Sequence, residues 1–170
     1  MKSFFIQDIR IFMQQLLTAG TFDTFEVVKA ELRTWASFSV DGEIPVPLRK
    51  TDAAGGAAAE RYVSWSRLRP HFLELIRGKD KPLSLHLVFR LADRNIPVFL
   101  RSSGLGLQPD EIAGLYLNVN YTTENDREQV SCVTGLSLKI FTLDKSAEHI
   151  WDEMCEKLLR RSGIPYVPGE

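Results

Sequence analysis

The residue types able to do chemistry are thinly spread along this chain. Its three histidines are His71, His86 and His149. His71 shares a predicted helix face with Glu74, and His149 shares one with Glu153. Such a pair can form one edge of a metal site, but a site needs three or four ligands. No further ligand stands at a diagnostic spacing, so both pairs read as surface histidines. His86 alternates with apolar neighbours and reads as a polar sheet-face residue. Five carboxylates, Asp144, Glu148, Asp152, Glu153 and Glu156, cluster near the end of the chain. Paired carboxylates do acid–base work when burial splits their pKa values. Here they interleave with apolar residues at helical spacing, which predicts a solvated helix flank. Serines lack a GxSxG elbow, and Gly55-Gly56 belongs to neither GxxxxGK[ST] nor GxGxxG. Cys132 and Cys155 lack a CxxC context and read as buried, reduced thiols. No catalytic residue, metal site or cofactor is predicted.

One local charge imbalance stands out. Between Arg61 and Lys81 there are six cations and two carboxylates, a surplus of four. Within it, Arg67, Arg69, Arg77, Lys79 and Lys81 are the candidate nucleic-acid-binding residues, because a basic helix and loop can engage phosphates. The chain as a whole carries a net charge of −1 with 25% charged residues. That balance supplies no global field for nucleic acid or an anionic membrane.

The elements that must position these residues centre on Gly114–Phe141. Leu115, Leu117, Val119 and Tyr121 alternate with polar residues, and so do Val130, Cys132, Thr134, Leu136, Leu138 and Ile140. Period-two alternation predicts a half-solvated antiparallel hairpin. The connector Thr122–Gln129 reads as too long for a two-residue turn. A helix over about Lys145–Arg161 follows, with Ala147, Ile150, Trp151, Met154, Cys155, Leu158 and Leu159 in one stripe. Asp144 is its predicted cap, and Gly163 with Pro165 its stop. The stripe is expected to pack on the hairpin's apolar face.

From the start of the chain, Ser3–Ile6 reads as a short strand and Asp8 as the cap of a helix ending at Gly20. Phe22–Asp41 is long for one strand, so a bend or bulge is expected near Arg33–Trp35. Asp41-Gly42 is the expected hairpin turn, with Glu43–Leu48 as an edge strand because of Pro45 and Pro47. Small residues over about 49–60 predict a mobile loop. A helix within Tyr62–Gly78, a strand over Leu83–Leu91, a helix over Asp93–Ser103 and a turn at Gln108–Glu111 complete the chain. The order is β-α-β-β-β-α-β-α-β-β-α: an α+β fold, mostly antiparallel sheet with about four helices, in a single domain spanning residues 1–170.

Several pieces carry a family resemblance. They are Gly20-Thr21-Phe22-Asp23-Thr24-Phe25, Trp65-Ser66-Arg67-Leu68-Arg69-Pro70, Ile76-Arg77-Gly78-Lys79 and Pro82-Leu83-Ser84. Further along come Thr134-Gly135-Leu136-Ser137-Leu138-Lys139, Phe141-Thr142-Leu143-Asp144-Lys145 and Trp151-Asp152-Glu153-Met154. Together they resemble an uncharacterised family, a domain of unknown function, from clostridial, gut-type Firmicutes. The likeness covers nearly the whole chain and departs at the Ala/Gly stretch Ala53–Ala59. It implies no activity, ligand or site residue. The order of elements is also similar to that of one domain of a DNA sliding clamp, whose DNA-facing surface would correspond to Arg67–Arg77. The helices at Asp93–Ser103 and Lys145–Arg161 depart from that pattern.

The expectation is therefore a small, soluble, cytoplasmic, non-enzymatic binding or adaptor protein. Its expected partner is a protein or a second copy of itself, and no membrane. The alternatives are a nucleic-acid-associated protein using Arg61–Lys81, and an enzyme with an unfamiliar site.

Overall fold

The computed structural model describes residues 1–50, 60–78 and 80–169. The expected mobile loop lies mostly outside these, at 51–59, as does Lys79. The fold is α+β, with one antiparallel sheet and four helices. The strands are β1 (Ser3–Ile6), β2 (Phe25–Arg33), β3 (Ser37–Asp41), β4 (Val63–Ser64), β5 (Ser84–Leu91), β6 (Ile112–Glu124), β7 (Arg127–Leu138) and β8 (Tyr166–Pro168). The helices are α1 (Ile9–Leu17), α2 (Trp65–Ile76), α3 (Ile96–Ser103) and α4 (Ser146–Arg161). Strand order runs β3-β2-β5-β6-β7-β1-β8, with β4 paired to β2 beyond the end of β3.

Alternation decides which face is covered. The row Ala30, Leu87, Val119, Cys132, Phe4 crosses five strands through paired positions, and every member is buried. Helices deliver aromatic rings onto this face. Trp65 of α2 meets Phe89 edge-on at 5.5 Å, and Trp151 of α4 meets Phe25 at 6.4 Å. Phe12 of α1 packs on Phe22, and Phe99 of α3 on Trp151. Both buried indoles have a partner: Trp65 Nε1 donates to the Leu16 carbonyl at 2.9 Å, and Trp151 Nε1 to the Tyr116 carbonyl at 2.8 Å. A buried N–H without an acceptor would oppose folding, so these bonds fix where each helix sits. Among the described residues the opposite face bears no helix. Its row Glu31, His86, Asn120, Ser131 is part-exposed.

The helix ends follow local chemistry. The Asp8 carboxylate accepts from Ile11 N at 3.0 Å, as an N-cap does. Asp144 accepts from Ser146 N at 2.9 Å, one residue ahead of the cap position of α4.

Four local expectations are corrected. The 6–7 hairpin turns on only Asn125 and Asp126, both at positive φ (49° and 61°). Thr122–Glu124 and Arg127–Gln129 are strand in spite of their polarity. The interruption expected near Arg33–Trp35 is neither a bend nor a bulge: the chain reverses at Thr34–Ala36 and makes β2 and β3 a hairpin. Asp41-Gly42 is not a hairpin turn. Gly42 instead lies over the β2 backbone at its bulge, where an added Cβ would stand 1.7 Å from the Val27 carbonyl oxygen. Glu43–Leu48 is not a strand either. It has one bridge, Glu43 to Tyr62, and then a 3-10 turn over Val46–Leu48, where Pro47 fits and a ladder does not.

Candidate functional site

The basic segment is largely neutralised from elsewhere in the chain. Arg69 grips Asp23 with two bonds, Nε to Oδ1 at 2.9 Å and Nη2 to Oδ2 at 2.8 Å. Its Nη1 donates to the carbonyls of Leu17 and Thr18 at the end of α1. Those carbonyls have no intrahelical donor, so Arg69 acts as a C-terminal clamp between α1 and α2. Arg61 pairs with Glu43, Arg77 with Glu74 and Lys81 with Glu128. Arg67 is exposed, with no ion pair among the described residues. A count along the sequence misses this because Asp23, Glu43 and Glu128 are remote in the chain.

The histidines are dispersed. His71 and His149 are exposed on separate helices, and His86 Nδ1 lies 2.9 Å from Asn120 Oδ1 on the helix-free face. Among the described residues no group of three or more His, Cys, Asp or Glu is placed to hold a metal ion. Cys132 and Cys155 are free and buried, and burial pushes the Cys132 thiol up to about 12. Burial raises the Cys155 thiol as well, with Cys132 adding to it.

Two of the α4 carboxylates are not the solvated groups expected. Asp152 is buried and accepts from the Thr134 hydroxyl. Glu156 accepts from Lys2 Nζ at 2.6 Å and from the Tyr166 hydroxyl at 2.7 Å. The Lys2 bond, then that from Tyr166, holds its carboxyl down at about 2. Asp152 thus ties β7 to α4, and Glu156 ties β8 and the residue before β1 to it. Arg90 is also buried. It bonds Asp93 at 2.6 Å, pairs with Glu26 at 3.4 Å and lies under the Tyr62 ring. Burial raises the Glu26 carboxyl against the pull of Arg90.

The chemistry left unsatisfied lies at the β3 edge of the sheet. Gly42 N donates to Val28 O and Thr34 N to Ala36 O. Both fall on the β2–β3 register, which pairs Phe38 with Leu32 and Val40 with Ala30. Antiparallel pairs alternate between hydrogen-bonded and open. The peptide groups of Phe38 and Val40 therefore face β2, and those of Ser37, Ser39 and Asp41 face outward. Among the described residues these outward groups have no backbone partner. Phe38 and Val40 lie partly buried against the core. Trp35, in the turn before them, is 82% exposed with its ring edge-on to Phe38 at 5.5 Å. The opposite edge is blunted. It is the three-residue β8, flanked by Pro165 and ended by Pro168.

Two other apolar surfaces exist. A groove of about 440 Å³ between α3 and α4 is floored by Phe25, Trp151 and Leu158. Phe141 and Leu143 project from the loop before α4, 91% and 86% exposed. The groove is also lined by the polar side chains of Thr24, Glu153, Lys157 and Arg161.

A family model described as a family of unknown function, DUF5721, matches residues 15–167, and the chain belongs to that family. No curated protein and no solved structure matches it. No helix among the described residues is long and apolar enough to cross a membrane.

Proposed function

We propose that this chain is a non-enzymatic binding module that takes an extended peptide segment along β3. The observation that carries this reading is the row of outward peptide groups at Ser37, Ser39 and Asp41 beside the exposed Trp35. Strand addition draws affinity from main-chain hydrogen bonds and specificity from alternate side chains. Here the donors and acceptors are in place, and Trp35 with Phe38 supplies an aromatic anchor on one side of the added strand. Natural edge strands carry Lys, Pro or a bulge that discourages pairing. Ser37–Asp41 has none of these, and its one charge, Asp41, is at the end. The buried charges elsewhere, Arg90, Glu26 and Asp152, already have partners that hold elements together.

The test is a labelled peptide copying Trp35–Glu43, read by fluorescence polarisation. Ser39→Pro removes an N–H that points away from β2, so it blocks the edge and spares the β2–β3 ladder. Binding by the wild type and none by Ser39→Pro, with unchanged circular dichroism, is the expected result. Equal binding by both, or none by either when the wild type runs as a single chain, overturns the reading.

A further inference from the structure

We infer that the segment taken up at β3 is β3 of a second copy of this chain, joined about a two-fold axis through Ser39. This rests on the strand-addition reading and adds the identity of the partner. The argument is one of register. With the axis at Ser39, Ser39 faces Ser39 of the second copy, Ser37 faces Asp41, and Asp41 faces Ser37. Those are the residues whose N–H and C=O point outward, so every outward group on both strands finds a partner. Moving the register by two residues in either direction leaves an end pair unmatched on each strand. A one-residue slip sets outward groups against inward ones and turns the side chains to the wrong face.

The side chains agree with this register. On the helix-covered side, Phe38 comes opposite Val40 of the second copy, and Val40 opposite its Phe38. An aromatic against a β-branched residue is a favourable cross-strand pair. Both are partly buried within one chain, so the pairing continues the core row Leu32–Phe38 and Ala30–Val40 across the axis. Trp35, which leans on Phe38, lies at the end of that quartet. On the open side Ser39 meets Ser39, and Asp41 meets the neutral Ser37, so no like charges are opposed. The arrangement is isologous, as the commonest homodimers are. It joins the two sheets into one, with the proline-blunted β8 edges at its ends.

The test combines mass with register-specific cross-linking on the full chain. Light scattering after size exclusion, over a micromolar to submillimolar range, is expected to give twice the chain's 19.3 kDa. Ser39→Pro is expected to give the single-chain mass with unchanged circular dichroism. Under mild oxidation Ser39→Cys should run as a disulfide-linked dimer, because a hydrogen-bonded antiparallel pair sets the two Cα atoms about 5.5 Å apart. Ser37→Cys should not, since its counterpart faces Asp41. The native Cys132 and Cys155, 0% and 2% exposed, do not compete. A single-chain mass for the wild type throughout, or equal cross-linking of both cysteine variants, overturns the inference. If the single-chain protein still binds the Trp35–Glu43 peptide, self-pairing falls and strand addition stands. If it does not, both fall.

Discussion

The ring of Trp35 stands edge-on to that of Phe38 at 5.5 Å, yet Trp35 remains 82% exposed. A large apolar side chain held in a defined geometry but left in water contributes little to its own fold. Trp35→Ala is expected to lower stability only by about 0.5–1.5 kcal/mol, the scale of one aromatic pair. Its larger effect should be on uptake of the Trp35–Glu43 peptide. Urea unfolding beside the polarisation titration separates the two. A loss of stability with intact binding would mean that Trp35 is only a lid on Phe38.

Arg69 and Arg67 separate a structural arginine from an exposed one. Removing Arg69 leaves the Asp23 carboxylate and the carbonyls of Leu17 and Thr18 without their donor. Arg69→Ala should cost about 1.5–3 kcal/mol, the range for bonds to charged groups. Arg67→Ala should stay within about 0.5 kcal/mol, as an exposed substitution does. Chemical denaturation of both variants checks this. If instead the basic segment binds nucleic acid, Arg67→Ala with Arg77→Ala must weaken a strongly salt-dependent association with DNA or RNA.

Glu156 gives the fold an acid-sensitive fastening. Lys2 and Tyr166 hold its carboxyl at about 2, below the ordinary 4.5. The ionised form therefore favours the folded state. That stability is present above the unfolded value near 4.5 and is lost as pH falls toward about 2. Urea midpoints at neutral pH and in that acid window should show a steeper loss for the wild type than for Glu156→Gln. Parallel losses would mean that the Lys2 contact is not formed in solution.

The turn at Asn125-Asp126 places both residues at positive φ. The second position of such a turn favours glycine. Asp126→Gly should therefore stabilise the protein by about 1 kcal/mol or less, the relieved left-handed cost minus glycine's greater unfolded-state entropy, read as a raised thermal midpoint. A lowered midpoint would show that the Asp126 side chain contributes more than its backbone costs.

The same turn marks what could be read from the sequence. Helices were legible because an apolar stripe and its stops are local: Asp8 caps α1, and Gly20 and Gly104 adopt the left-handed conformation that ends helices. The inner rows of β5, β6 and β7 were legible from alternation. The ends of the 6–7 hairpin were not, because Thr122–Glu124 and Arg127–Gln129 extend past the core and carry loop-like polarity. Asp41-Gly42 misled for a related reason. Gly42 serves a close approach to Val27, a tertiary demand that looks the same in sequence as a turn. The β3 edge was hidden by the reversal at Thr34–Ala36, where no Gly or Pro marks the turn. With that reversal in place, the edge passed from the proline-bearing Glu43–Leu48 to Ser37–Asp41, from a blunted strand to an open one. The charge pairs of Arg69, Lys81 and Arg61 depend on sequence-distant partners and have no local signature.

Amide hydrogen exchange along β3 tests the central claim most directly. Phe38 and Val40 donate toward β2 and should be protected at every concentration. Ser37, Ser39 and Asp41 should exchange freely in dilute protein and become protected when the edge is occupied, by a second copy or by the Trp35–Glu43 peptide. Free exchange at Ser39 under all conditions, with Phe38 and Val40 protected, would show that the edge takes no partner.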